Sequence, residues 1–358
     1  MSKPSIIGWD IGGAHLKAVL LDDSGEVLQV LQQACPLWKG LNQLELAINN
    51  ALNAFKIAPS EPALECNSPV ATNNLNHAVT MTGELVDLFA NRHEGVMEIS
   101  KLAAKLFGKD TLFYAANAGF VALERVSALT PHIASTNWHA SASALAMQVN
   151  DALLIDIGST TTDIIAIEAG KVKAVNLTDA ARMAADSLVY TGVVRTPVMA
   201  LAQKLPFEGQ LVNVAAEYFS TMADVYRLTG ELLPDHDMAE TADGKGKTTL
   251  ESSRRLARMI GHDVESRDIE TWKNLAQTCK TLQMNQIEAA IAKHLKPNMT
   301  IIGAGAGSFL VEQIVLELKQ AYQPIATCFP AYIDASKKYD LAVCFPAFAV
   351  ASLAQQHA

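Results

Sequence analysis

Apolar residues fall along the chain in two alternating rhythms. Some form short continuous runs bounded by glycine and acidic turns, and others form longer stretches with the three-to-four spacing of a helix. The first run, at 6–11, ends in Asp10-Ile11-Gly12-Gly13 and returns as an apolar run at 16–20. Asp22-Asp23-Ser24-Gly25 then turns into a third run at 27–31, so three consecutive antiparallel strands are expected. Leu41, Leu44, Ala47, Ile48, Ala51, Leu52 and Phe55 predict a helix over 41–55. A polar stretch at 59–76 precedes a strand at 78–81, a helix near 96–107, a strand at 111–114 and a helix near 138–149. The plan then restarts with a hairpin from 153, a helix-rich middle at 212–291, a glycine turn at 303 and a closing helix near 348–355. This alternation predicts an α/β fold.

The hairpin is written twice. Ile6-Ile7-Gly8-Trp9-Asp10-Ile11-Gly12-Gly13-Ala14-His15-Leu16-Lys17 is answered 146 positions later by a run ending Ile155-Asp156-Ile157-Gly158-Ser159-Thr160-Thr161-Thr162-Asp163. A glycine turn presents backbone N–H groups to an anion, and a carboxylate at the strand end holds the cation that the anion brings. Taken singly, either copy is equally a hairpin whose aspartate closes the turn. A third element, Ile301-Ile302-Gly303-Ala304-Gly305-Ala306-Gly307 before a helical run, has the glycines of a dinucleotide fingerprint but no following unit with a ribose-binding acid. In this order the three resemble the phosphate-1, phosphate-2 and adenosine motifs of the actin, sugar kinase and Hsp70 superfamily. That resemblance implies two ribonuclease H-like domains, 1–150 and 151–340, with a cleft between them and a closing helix at 341–358.

Composition narrows the partners. Half of the 358 residues are hydrophobic, enough for two cores of ordinary size. A formal charge of −9 without a basic stripe excludes a nucleic-acid surface, and no apolar run reaches membrane length. Arg254, Arg255 and Arg258 read as a solvated helix face, with an anion clamp as the alternative. Five scattered cysteines fit reduced thiols rather than disulfides or zinc. With no leader-like start, a cytoplasmic protein is expected, and a homo-oligomer is compatible with these features. The polar insert 233–249 reads as a flexible linker or as a lid over an anion.

Further segments resemble a narrower branch: Met81-Thr82-Gly83-Glu84-Leu85, Asn137-Trp138, the run 190–197 and the run 217–226. These are similar to the hydantoinase/oxoprolinase-like proteins found with tetrahydromethanopterin-linked one-carbon transfer. The resemblance implies a transferase of methanofuran or methylofuran biosynthesis. Its substrates are an aminomethylfuran methyl diphosphate and the phenol of a γ-glutamyl tyramine, and it releases pyrophosphate. An ATP-dependent kinase, a hydantoinase-like hydrolase and a nucleotide-sensing regulator are the alternatives within the superfamily.

On that reading Gly12, Gly13, Gly158, Ser159, Thr160, Thr161, Thr162, Gly303 and Gly305 bind phosphate. Lys17 stabilises the leaving group, and Mg²⁺ is held by Asp10, Asp156 and Asp163. Glu84 is the leading candidate for the base that takes the phenol proton, with a helix-end acid as the alternative. His15 is either a second titratable group or a turn histidine bonded to backbone. Asp224 is a further base candidate, a buried cap or an ion-pair partner. Arg195 suits a carboxylate or a phosphate, and Trp138 and Tyr190 either flank rings or fill core.

Overall fold

The computed structural model describes residues 4–57, 75–173, 177–330 and 338–357. Most of the polar stretch at 59–76, including Cys66, therefore lies outside the described residues. The first three strands are β1 (Pro4–Ile11), β2 (His15–Asp22) and β3 (Val27–Ala34). Three more follow: β4 (Asn76–Met81), β5 (Leu112–Tyr114) and β6 (Phe120–Val121). They form one sheet in the order β3-β2-β1-β4-β5-β6. The β1–β2 hairpin is antiparallel with Asp10 opposite Lys17, and β4 runs parallel to β1 on its other side.

The plan then repeats. β7 (Ala152–Ile157), β8 (Thr162–Glu168), β9 (Lys171–Val172) and β10 (Leu188–Val189) precede a small separate hairpin of β11 (Lys204–Phe207) and β12 (Gln210–Asn213). With β13 (Thr300–Ala304) and β14 (Tyr322–Pro324) they give a second sheet in the order β10-β8-β7-β13-β14, with β9 on β8. Each duplicated hairpin thus places its first strand beside the next long strand of its sheet.

Contacts divide the chain into two compact units, 1–152 with 165–182 and 324–358, and 153–164 with 183–323. Sequence order instead suggests a break near 150 and a second domain running to 340. The difference has two physical sources. Strand β9 packs on helix Asn137–Ala146, and the closing helix, Phe345–His357, packs on β1, β2, β4 and that same helix. The closing helix is buried along Phe345, Ala347, Phe348, Val350 and Ala351, which is why its polar face is so narrow.

The core of the first unit joins Trp9, Ile11 and Leu16 of the hairpin to Leu44, Ile48 and Leu52 of helix Leu41–Ala54 and Val96, Ile99 and Ala103 of helix Arg92–Phe107. Trp9 donates to His77 Nδ1 at 3.1 Å, and Phe107 stacks on both rings at 4.6 Å. Burial lowers the His77 pKa to about 4, so the ring is the neutral acceptor that Trp9 requires. Among the described residues no helix is long and apolar enough to cross a membrane.

Gly8 in β1 lets the closing helix approach, because a methyl group there runs into the Ala347 carbonyl oxygen and lies 2.9 Å from the Ala351 Cβ. Gly8→Ala is expected to destabilise the chain by about 1–3 kcal/mol through overpacking, read as a lower midpoint in thermal or urea unfolding. An unchanged midpoint contradicts this docking of the helix.

Candidate active site

In the first unit the glycine turn and the segment after β4 form one constellation. Gly12 N–H closes the hairpin on the His15 carbonyl at 3.0 Å, and Thr82 N–H donates to the Ile11 carbonyl at 2.9 Å. A Cβ on Gly83 would lie 3.2 Å from the Gly12 backbone, a tight contact that glycine avoids. Gly83–Leu85 is a single 3-10 turn, which sets Glu84 next to the residue that packs on the Gly12 turn.

Glu84 is 1% exposed. Ser135 Oγ donates to its Oε1 at 2.5 Å, while Oε2 has no hydrogen-bond partner among the described residues. Burial pushes the carboxyl pKa up to about 7, against the opposing effects of the Ser135 hydroxyl, the Glu84 backbone N–H and the Arg92 guanidinium. Arg92 is ion-paired at 2.7 Å to Asp179, and Arg182, one turn further along the Asp179–Ala184 helix, lies 4.0 Å over the Trp138 ring. Trp138 is buried, whereas Tyr190 is exposed. Lys17 Nζ lies 3.7 Å from Asp10 Oδ2 in the hairpin, and His15 is buried at the start of β2.

The second unit repeats the turn with different chemistry. Gly158 N–H closes it on the Thr161 carbonyl at 2.8 Å, the counterpart of the Gly12 bond. The position matching Lys17 is Asp163, so an acid–base pair in one hairpin becomes two carboxylates, Asp156 and Asp163, in the other. The carbonyls of Gly158 and Ser159 accept from Val193, Val194 and Arg195 N–H groups at 2.8–3.1 Å. Gly192 makes room for this, since a Cβ there would lie 2.5 Å from Thr160 N. Gly305, at φ +82°, abuts Asp156 Oδ1 and the Ile157 carbonyl, which brings the third glycine element onto the second hairpin. Gly303 instead packs on the Tyr322 ring.

Three features differ from what the sequence suggested. Thr162 is fully buried and its hydroxyl donates to the Thr191 carbonyl at 2.7 Å, which ties it to the fold. The N–H groups of Gly12 and Gly158 are engaged in closing their turns, so these glycines shape the turns. Arg255 does not lie on a solvated face: its side chain is 0% exposed, against 32% and 41% for Arg254 and Arg258. It binds Asp224 Oδ1 through Nη2 at 2.7 Å and Nε at 2.9 Å, and Asp243 through Nη1 at 2.9 Å.

Asp224 also accepts from Arg227 at 2.7 Å and from Ser220 Oγ at 3.0 Å, near the start of helix Met222–Thr229, so it is both cap and ion-pair partner. Arg227 in turn grips Asp237 with two bonds, and Lys247 pairs with Asp237 at 3.2 Å. The insert 233–249 is therefore pinned from outside by Arg227 and Arg255 and braced within itself by Lys247, so it is not a free linker.

Among the described residues no group of three or more His, Cys, Asp or Glu is arranged to hold a metal ion. A Mg²⁺ ion needs only one or two carboxylates and keeps several waters, and the half-buried, all-oxygen pair Asp156 and Asp163 suits that hard cation. Asp10 has Lys17 beside it as a counter-charge.

A family model for hydantoinase/oxoprolinase matches residues 76–332. The chain belongs to the hydantoinase/oxoprolinase family. This family member is 30% identical over 359 residues to the (4-{4-[2-(gamma-L-glutamylamino)ethyl]phenoxymethyl}furan-2-yl)methanamine synthase of Methanocaldococcus jannaschii, covering 99% of this chain and 98% of that protein. A synthase of the same name from Methanococcus vannielii is 31% identical over 157 residues, 43% of this chain and 70% of the relative. Among solved structures, the nucleotide-free form of the acetone carboxylase of ATP-dependent acetone carboxylation has a TM-score of 0.52 at 11% identity, covering 96% of this chain and 70% of that one. That likeness concerns the fold alone, and with the duplicated hairpin sheets it gives this hydantoinase/oxoprolinase-family chain the actin/sugar kinase-like architecture.

Cutting Arg255 back to Ala removes the buried partner of Asp243 and leaves Asp224 with Arg227 as its remaining counter-charge. Arg255→Ala is expected to lower stability by about 3–5 kcal/mol in urea unfolding, with Arg255→Lys also impaired because the fork geometry is lost. A loss under about 1 kcal/mol in the Ala variant is incompatible with the buried network.

Proposed function

We propose that the chain is a synthase joining an aminomethylfuran methyl diphosphate to the phenol of a γ-glutamyl tyramine acceptor, with release of pyrophosphate. The observation that carries this reading is the identity of 30% over 99% of the chain to the furan methanamine synthase named above. That relative's name describes an aryl ether, in which a phenol oxygen is bonded to a methylene on the furan. Making it from a diphosphate forms the phenol O–CH2 bond and breaks the CH2–O bond to the diphosphate. The departing diphosphate takes the electron pair, and the phenol proton goes to a base.

Glu84 suits that last role. A carboxyl with a pKa of about 7 is half ionised near neutral pH, and a desolvated carboxylate is a stronger base than one in water. Because the group is 1% exposed, the acceptor has to displace part of its cover to meet Oε2. Ser159, Thr160 and Thr161, half-buried in the second turn, are the groups for the diphosphate oxygens, and Lys17 adds positive charge for the leaving group. In the second unit Asp156 and Asp163 would hold a Mg²⁺ ion, whose charge would neutralise that of the diphosphate.

Incubation of the furan diphosphate with the phenolic amine and Mg²⁺ is expected to give the ether and one pyrophosphate per ether with no ATP added. Coupling that occurs only with ATP, or ADP accumulating in step with product, overturns the assignment.

The Glu84 carboxyl also makes a prediction for stability. Its folded pKa, about 7, lies above the ordinary value of 4.5, so its contribution is fully present below about pH 4.5 and is lost as pH rises through about 7. Glu84→Gln should therefore cut coupling severely while gaining stability over wild type across that window, by about 3 kcal/mol at the top of it. A lower melting temperature for Glu84→Gln at pH 8 indicates a structural acid instead.

A further inference from the structure

We infer that Ser135 is a positioning residue for Glu84, tying Oε1 so that Oε2 is the atom that receives the acceptor's proton. The inference rests on the reaction proposed above and assigns a role within it to a residue with no motif of its own. Ser135 lies in the bend between helix Thr130–Ile133 and helix Asn137–Ala146. Its backbone has φ +52°, the left-handed region that favours glycine. The flanking residues leave little freedom to relax. Ala134 N–H is bonded to the Thr130 carbonyl at 2.9 Å, and the Thr136 carbonyl accepts from His139 and Ala140 at 3.1 and 3.2 Å.

A glycine would satisfy this backbone with less strain, whereas the serine brings a hydroxyl whose one bond among the described residues is to Glu84 Oε1 at 2.5 Å. With Oε1 so occupied, the bare atom is Oε2. The rest of the surroundings are fixed as well. Gly95 lets helix Arg92–Phe107 press onto the Glu84 backbone, where a Cβ would lie 2.5 Å from the Glu84 carbonyl oxygen. The charged groups facing the carboxyl are Arg92 from that helix and Asp179 from the Asp179–Ala184 helix. They are paired with each other, and their effects on the carboxyl oppose.

The Ser135 hydroxyl donates to the carboxylate, which favours the charged form, so removing it moves the carboxyl pKa further up. The base is then protonated over more of the working pH range, and its second oxygen is no longer aimed.

The test is the pH dependence of kcat for coupling the furan diphosphate to the phenolic amine in wild type, Ser135→Gly, Ser135→Ala and Glu84→Gln, read beside thermal melting. Ser135→Gly removes the hydroxyl and relieves the backbone, so its melting temperature should equal or exceed that of wild type. Its acidic limb should move up by about one pH unit and its kcat at pH 7 should fall roughly fivefold. Ser135→Ala should show the same displaced limb with a lower melting temperature. An acidic limb in Ser135→Gly that coincides with wild type, while Glu84→Gln has lost activity, overturns the role of Ser135 and leaves Glu84 as the base. Full activity with an unmoved limb in Glu84→Gln overturns the role of Glu84, and that of Ser135 with it.

Discussion

Glu84 keeps its carboxyl out of water with one hydroxyl on Oε1 and no hydrogen-bond partner on Oε2 among the described residues, and the elements around it follow from that placement. A bare buried oxygen costs on the order of 1–3 kcal/mol and more if charged, which the chain tolerates by letting the group hold its proton up to about pH 7. Three backbone allowances make the site possible. Gly83 packs against the Gly12 turn, Gly95 lets a helix touch the Glu84 backbone, and Ser135 adopts a conformation usually left to glycine. A side chain at either glycine would crowd these contacts.

The duplicated hairpins show how one fold unit is given two chemistries. The backbone solution is shared: an aspartate ends the strand, a glycine N–H closes the turn and a long strand lies beside the first. The side chain at the matching position on the return strand differs. Lys17 in the first unit accompanies Asp10, whereas in the second the matching position is a second carboxylate, Asp163. The second unit also carries its own rigid support. The segment 191–196 backs the turn, and Gln283 bonds both Thr191 and Gly192, at 2.7 and 2.9 Å, while accepting from Tyr226 at 2.5 Å.

Much of this was legible in the sequence because it depends on local pattern. Asp-Ile-Gly after an apolar run specifies the hairpins. The alternation of strand and helix marks the fold class, and the period of Leu44, Ile48 and Leu52 marks the first helix to within a residue. Where long-range packing decides, the pattern was silent or misleading. Arg255 stands in an Arg-rich helix that looks solvated, and only Asp224 and Asp243, 31 and 12 residues away, reveal why it is buried. Ser135 lies in an ordinary run of small residues, and neither its positive φ nor its bond to Glu84, 51 residues distant, has a local signal. The return of residues 324–358 to the first unit was hidden for the same reason, since it depends on how closely a helix approaches Gly8. The Gly83-Glu84 pair after β4 is the one part of this carboxyl's setting that the sequence displayed directly.

The proton held by a buried Glu84 carboxyl is the feature on which the proposed chemistry rests. It is measured most directly by following the Glu84 side-chain carbon in glutamate-labelled protein by NMR as pH is varied, with Glu84→Gln providing the assignment. The structure predicts that this carboxyl titrates near pH 7, above the ordinary value of 4.5. A Glu84 signal that titrates near the ordinary value of 4.5 would contradict a desolvated base at this position.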